Sequence, residues 1–458
     1  MAQAWVLGEL AEAGYPARRL IGPPGAGVVV GCQPGDGPAF WVLAHTDVVH
    51  QNSPGAVDNA AAVGVALEVA RQVRRAELPV RACFGFPDGE ELGFYGSRVL
   101  QARLEPAPAM VVALDLLGQG ELTAMGLGRA WGERGLRWLL AGAEVQVPYA
   151  YRSFSRIFPG RERSDHAPFA AAGVPALLLL GRGETGVYWQ YHTEHDGLDR
   201  LEPDAVTEAT TALISLLKAG PPPKDSGGVA VVIPGTDKVL GDLWVWVLVA
   251  MGVGAGLLTG LPWWREALAG LGLCLLATLG GWIAWELAAF GRPAHGSLAE
   301  PLTSLWWVGA VGVMGMSPLR KRGIAGGALA SAWLALGFLA LDATLALPWA
   351  LVALALALGS RAWPLMILAL PIPLYVAGAD LWRELVFHQV IPEGGAWWMP
   401  VRALALWPLC CVALSIRRPP PLVWGIGLGL ALLGMGYRVA LMEPFEPPFA
   451  PRHALATE

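Results

Sequence analysis

Residues Trp41 to Asn59 read WVLAHTDVVHQNSPGAVDN, and the rest of the chain can be worked out from them. The opening residues are apolar and read as a buried strand. His45, Asp47 and Asp58 then follow within fourteen residues, and an Ala-rich run begins directly afterwards. A buried strand that ends in polar, metal-ligating residue types and leads into a helix is the repeating unit of an α/β domain.

Working outward, Met1–Leu20 reads as an amphipathic helix ending near Gly14, without the basic start and long apolar core of a secretory signal. Gly27–Cys32 and Phe40–Thr46 are apolar runs separated by the Pro/Gly turn Gln33–Pro38, and they read as adjacent strands. Asp58 or Asn59 is expected to cap a helix running to about Arg75, with Val63, Leu67, Ala70 and Val73 at helical spacing. Val80–Phe86, Met110–Leu116 and Pro175–Leu180 read as further strands. Helices are expected at Tyr95–Ala102, Trp131–Ala143 and Pro203–Lys218, the last with Pro at its start. Strands alternating with helices predict a three-layer α/β domain over residues 1–219 with a largely parallel central sheet.

Composition divides the chain. At 54% hydrophobic and 15% charged residues it is too oily for an ordinary soluble enzyme. The bias sits in the second part: 20 Lys+Arg and 26 Asp+Glu lie in residues 1–240, against 12 and 11 beyond, while sixteen of the 21 Trp lie beyond residue 240. Trp in such numbers suits a lipid–water boundary. Neither part is basic enough for nucleic acid. Residues 220–239 are Pro/Gly-rich and read as a linker. Residues 240–445 read as an all-α, multi-pass transmembrane domain of about eight helices, and 446–458 as a tail. Its apolar runs are Leu243–Leu261, Ala267–Trp285, Leu302–Pro318, Gly323–Leu341, Ala343–Ser360, Ala362–Ala379, Ala403–Ile416 and Pro419–Tyr437, most of them near the ~20 residues that span a bilayer. Asp342 stands between two of them, as an intramembrane functional group or as a break.

The clusters Arg320–Lys321–Arg322 and Arg417–Arg418 are expected on the cytoplasmic side. Counting back three spans puts the α/β domain on the non-cytoplasmic side. That placement calls for a span upstream of Met1; with one span fewer the domain is cytosolic. The five Cys form no CxxC pair and no disulfide-dense pattern, so they do not report the compartment.

His45 and Asp47 are two apart at a strand end and share a face, so His45 can bind a metal while Asp47 takes its other ring N–H. Asp58 follows a tight PGA turn, where a carboxylate can bridge two ions. Glu90 and Glu91 are neighbours in the turn after a strand and point differently, so one can coordinate while the other moves protons. Asp115 ends VVALD, and His192 lies in the polar loop YWQYHTEHDGLD. Those on strands sit at C-terminal ends, where an open α/β sheet forms its ligand crevice. Two His, three carboxylates and a spare Glu suit two Zn2+ ions.

HTD, PGAVDN, GEELGFYGS, LDLLG, RSDHAPF and YHTEHD resemble, in order and spacing, the co-catalytic di-zinc aminopeptidase family, which also contains glutaminyl cyclases and multi-pass membrane peptidases. The resemblance covers about residues 5–218. It implies that Asp58 bridges two zinc ions, that Asp115 and His192 complete one site, and that His45 and Glu91 complete the other. It further implies Glu90 as general base for a zinc-bridging hydroxide, Asp47 as the partner of His45, and Tyr191 aimed at the oxyanion. His166 and His195 lie beside these motifs and read as supports of the ligands or lining of a substrate pocket; His50 reads as a loop histidine. The activity implied is removal of N-terminal residues from a peptide by an enzyme anchored in a lipid bilayer. A carboxypeptidase or glutaminyl cyclase-like enzyme could use the same site, and a membrane scaffold or transporter could keep such a domain only for binding.

Overall fold

The computed structural model describes residues 2–22, 27–104, 107–128, 131–149, 164–182, 190, 192–225, 228–233, 236–272, 321–359, 407, 408 and 411. They divide at Gly241–Asp242 into two compact units.

In the first unit, α1 (Ala2–Glu12) leads into β1 (Arg18–Leu20), β2 (Val28–Cys32) and β3 (Ala39–Ala44). Helix α2 (Ala61–Val73), β4 (Arg81–Pro87), α3 (Tyr95–Gln101), β5 (Met110–Asp115) and β6 (Glu121–Met125) follow. The unit continues through α4 (Glu133–Gly142), α5 (Ala167–Ala171), β7 (Ala176–Arg182) and α6 (Pro203–Ala219). A short ribbon, β8 (Val231–Val232) and β9 (Val239–Leu240), ends it.

Seven strands form one sheet in the order β1-β2-β4-β3-β5-β7-β6. The inner pairs β3–β4, β3–β5 and β5–β7 are parallel; the outer pairs β1–β2, β2–β4 and β6–β7 are antiparallel. The sheet is therefore mixed, and parallel only at its centre, because the edges are finished by strands that need no helical crossover.

Strands β2 and β3 are not neighbours, contrary to the expectation from their closeness in sequence. β4 lies between them, and the turn that starts at Gln33 steps across it. Gln33 ties that step down: its amide donates to the Val73 carbonyl at 2.6 Å and its Oε1 accepts the Ala82 N–H at 3.1 Å. Pairing β3 on both edges with parallel strands leaves it buried on both faces, as its continuous apolar run requires.

Alternation of side chains along the strands divides the core in two. Phe40, Val42, Phe84, Val112 and Leu179 pack with Val6 and Leu10 of α1, with α2, with Leu136 and Leu139 of α4, and with Leu213 and Leu217 of α6. On the other face Trp41, Leu43, Val111 and Leu178 pack with Leu100 of α3 and Phe169 of α5. Helices thus cover both faces of the sheet. The stretch 220–239 is not bare chain: Ala230, Val232 and Val239 join the first of these cores, and Asp225 accepts the Gly135 N–H at the start of α4 at 2.9 Å.

Cys32 and Cys83 sit directly opposite each other on β2 and β4 and form a disulfide. The sequence reading missed this pairing, because partners 51 residues apart carry no spacing signature.

In the second unit, α7 (Asp242–Gly260) tightens at Leu261–Trp263 and continues as helix to Gly272. Helices α8 (Lys321–Leu339) and α9 (Ala343–Gly359) pack around Ile324, Ala328, Val352 and Leu356. Asp242–Gly272 and Arg322–Leu339 are long and apolar enough to cross a membrane, and Ala343–Gly359 is apolar but shorter. Asp342 separates α8 from α9 as an N-cap: its Oδ1 accepts the Thr344 N–H at 2.7 Å and the Thr344 hydroxyl at 2.5 Å. The expected spans Leu302–Pro318, Ala362–Ala379 and Pro419–Tyr437, and most of Ala267–Trp285 and Ala403–Ile416, lie outside the described residues.

Candidate metal centre

The parallel ladder between β3 and β5 pairs Ala44 with Leu114, so the next residue on each strand, His45 and Asp115, leaves the sheet at the same level. His45 Nε2 lies 3.6 Å from Asp115 Oδ1 and 3.3 Å from Asp58 Oδ1. The other oxygen of Asp58 lies 3.1 Å from His192 Nε2, which is in turn 3.0 Å from Glu91 Oε1. Two groups of donors result, His45–Asp58–Asp115 and Asp58–Glu91–His192, each with its ligand atoms within 4.8 Å of one another. The donor atoms thus bring His45 together with Asp115 and Glu91 together with His192, where the resemblance implied Asp115 with His192 and His45 with Glu91. Strand register decides it, since β3 and β5 are direct neighbours.

Asp58 or Asn59 was expected to cap α2, and neither does: the residue before the helix is Ala60. Asp58 and Asn59 have non-helical backbone (φ −115°, ψ 80° and φ −142°, ψ 25°) within the kinked turn Ala56–Ala60, and the peptide between them is cis. The Asp58 carboxylate faces the two histidines. Gly55 makes the turn possible: its φ is +67°, and a Cβ there would stand 2.5 Å from Val48 Cγ1. Asn59 secures the far side by donating to the Leu114 carbonyl at 2.9 Å.

Asp47 spends its carboxylate on backbone. Oδ1 accepts the Glu90 N–H and Oδ2 the Glu91 N–H, both at 3.1 Å. The nearer partner of His45 Nδ1 is the Asp47 carbonyl oxygen at 3.1 Å, with the carboxylate at 3.6 Å. Glu90 is buried beside Glu91. Leu116 (φ 48°), Phe94 (φ 61°) and His192 (φ 65°) flank or belong to the centre in left-handed backbone. Such conformations cost on the order of 1–3 kcal/mol each and collect at functional sites.

His50, expected to be a plain loop residue, places Nε2 3.0 Å from the His192 carbonyl oxygen. His166 is fully buried, with no hydrogen-bond partner on either ring nitrogen among the described residues, while His195 is exposed. Tyr191 lies outside the described residues. Asp165, which the sequence reading passed over, is buried and accepts the Ser97 hydroxyl.

Asp47, Asp58, Glu90, Glu91 and Asp115 crowd around two imidazoles, buried or nearly so. Burial raises Glu90 well above the ordinary carboxylate range, and Asp115, Asp165 and Glu91 add to it against the pull of His45. Burial and the Asp58 charge likewise raise Glu91. Burial opposes ionisation of Asp58, but hydrogen bonds from His192 and His45 overcome it and hold its carboxyl well below the usual range. Burial would depress both histidines; hydrogen bonds to Asp58 and Glu91 instead push His192 up to about 9, and those to Asp115, Asp47 and Asp58 raise His45. A buried surplus of carboxylates costs several kcal/mol per unpaired ion, so the cluster calls for cations.

Zinc fits it. Oxygen and nitrogen donors about 2.0–2.2 Å from a tetrahedral ion stand roughly 3.3–3.6 Å apart, the separations of His45 Nε2 from its two carboxylates. His45 Nε2 is buried and aimed at those oxygens.

Residues 28–217 match the model of Peptidase family M28. No curated protein matches the chain. Among solved structures, the chain is similar to BSAP, a zinc aminopeptidase from Bacillus subtilis (21% identity over 42% of this chain and 48% of that one, TM-score 0.36). It is also similar to the LapA aminopeptidase of Legionella pneumophila (19%, 49% and 66%, TM-score 0.41) and the glutaminyl cyclase of Porphyromonas gingivalis (17%, 47% and 87%, TM-score 0.37). The chain spans about half the length of the Bacillus subtilis protein. Residues 28–217 are thus the part of the chain that resembles peptidase family M28, and they carry a donor set that suits zinc.

Proposed function

We propose that the chain is a membrane-anchored exopeptidase, an aminopeptidase, that works with two zinc ions. One observation carries the reading: the two oxygens of Asp58 face histidines from different loops, Oδ1 toward His45 and Oδ2 toward His192. A carboxylate shared in this way suits a pair of ions, one completed by Asp115 and the other by Glu91. Bound there, zinc would supply Lewis acidity, lowering the pKa of water toward ~7 and polarising the scissile carbonyl.

The chain's own groups do the rest. Glu90 takes the proton of the attacking water and returns it to the leaving amine. Asp47 fixes the backbone of Glu90 and Glu91 so that one coordinates while the other moves protons. Tyr191, next to His192 in sequence, is assigned to the oxyanion. The apolar helices that begin at Asp242 support attachment to a membrane. The Cys32–Cys83 disulfide supports a peptidase domain on the non-cytoplasmic, oxidising side.

The test is hydrolysis of aminoacyl and peptidyl reporters by the detergent-purified chain, with and without chelator, beside Glu90→Gln. Release of N-terminal residues that the chelator abolishes, and that Glu90→Gln loses with zinc still bound, supports the reading. Zinc without release from any free N-terminus shifts it to a carboxypeptidase or cyclase; no zinc and no turnover leaves a binding module.

A further inference from the structure

The loop that carries His192 also carries Asp196, which is fully buried. Its Oδ1 accepts the Val57 N–H at 2.8 Å and its Oδ2 the Asp58 N–H at 3.1 Å. Its backbone carbonyl accepts the Ala56 N–H at 3.1 Å. Three consecutive N–H groups of the kinked turn thus end on one residue. These bonds stand in for the side-chain cap that Gly55, having no side chain, cannot give the start of the turn. The acceptor of the clamp is itself fixed: the Asp196 N–H donates to the Thr193 carbonyl, the Thr193 hydroxyl donates to the Gln190 carbonyl at 2.6 Å, and His50 Nε2 lies 3.0 Å from the His192 carbonyl oxygen.

Nothing in the turn's own sequence would keep Asp58 off helical backbone. The anionic clamp does so, since charge-assisted hydrogen bonds to backbone N–H are among the stronger ones. The geometry points to Asp196 as a positioning residue that locks the Asp58 turn to the His192 loop and so sets how the two Asp58 oxygens divide between the two donor groups. It belongs to neither donor group. This inference rests on the two-ion reading of the same centre.

The experiment titrates zinc into the detergent-solubilised, metal-stripped full chain against a chromogenic chelator, and follows unfolding with and without zinc, for wild type and Asp196→Asn. The asparagine keeps the size but turns an N–H2 toward a backbone donor. The expected result is a zinc affinity about 10- to 100-fold weaker, the usual effect of removing a group that orients ligands. The zinc-induced rise in Tm shrinks, while the metal-free Tm stays near wild type. Wild-type zinc affinity in the variant would overturn the inference, as would an equal loss of Tm with and without metal, the mark of a merely structural role. If Asp196→Asn does not fold, Asp196→Glu keeps the charge and displaces the clamp by one methylene, and the same titration decides. Absence of zinc binding by wild type would instead overturn the two-ion reading, and is seen separately.

Discussion

Asp47 holds Glu90 by its backbone and not by its side chain, through a 3.1 Å hydrogen bond from the Glu90 N–H to Oδ1. A carboxylate so placed leaves the Glu90 side chain free to exchange protons while fixing where it starts. Asp47→Ala should therefore lower kcat by about 10- to 100-fold with a much smaller change in KM. Steady-state kinetics at saturating zinc checks this. A change confined to KM would mean that Asp47 shapes the substrate pocket instead.

Two adjacent buried groups titrate in opposite senses. Burial pushes the Asp165 carboxyl up to about 7 against the opposing charge of His45, and burial alone pushes His166 down to about 3. Between their unfolded values and these, Asp165 binds a proton only when folded and His166 only when unfolded. Rising pH therefore removes stability through Asp165 from about 4 to 7, and adds it through His166 from about 3 to 6.5. The two nearly cancel. Asp165→Asn should make stability rise with pH by up to about 1.4 kcal/mol per unit relative to wild type, and His166→Gln should make it fall by a similar slope. Denaturant unfolding at several pH values between 4 and 6.5 reads both signs.

Reducing the Cys32–Cys83 bridge opens a loop with a sequence separation of 51 residues, for which chain entropy gives about 4 kcal/mol. The Cys32→Ser/Cys83→Ser variant should show a clearly lower Tm. Wild type should drop to a similar value in reductant, and the variant should then be insensitive to it.

Asp342 stabilises the start of α9 and stands far along the chain from every metal ligand. Asp342→Ala should cost about 1 kcal/mol and Asp342→Asn much less, since asparagine caps as well as aspartate. Neither should change hydrolysis of a soluble reporter. A loss of turnover in both, at full zinc content, would give Asp342 the functional role its apolar setting first suggests.

The parts of the centre visible in sequence are those set by local chain direction. His45 and Asp115 each stand just beyond or at the end of an apolar run, so their place at the crevice follows from strand polarity. Glu90 and Glu91 follow from the turn that leaves β4. What stayed hidden depends on pairing between distant segments. The insertion of β4 between β2 and β3, the division of ligands into His45–Asp115 and Glu91–His192, and the Cys32–Cys83 bridge all depend on strand order, which no spacing records. Asp58 looked like a cap because an aspartate before an Ala-rich helix normally is one. Here Asp196, 138 residues away, instead accepts the N–H of Asp58 itself. Asp196 itself had a faint signal, four residues after a ligand histidine in a polar loop.

The disulfide is placed in the body of β4, while Glu90 and Glu91 leave from that strand's end. The strand that delivers the base is thus fastened covalently to β2 without help from any ion. Zinc fingers use metal as the template on which the chain folds; on the proposed two-ion reading, the sheet and its bridge would here stand ready before zinc binds. A chelator should therefore empty the centre and leave the sheet intact, and returning zinc should restore it without refolding.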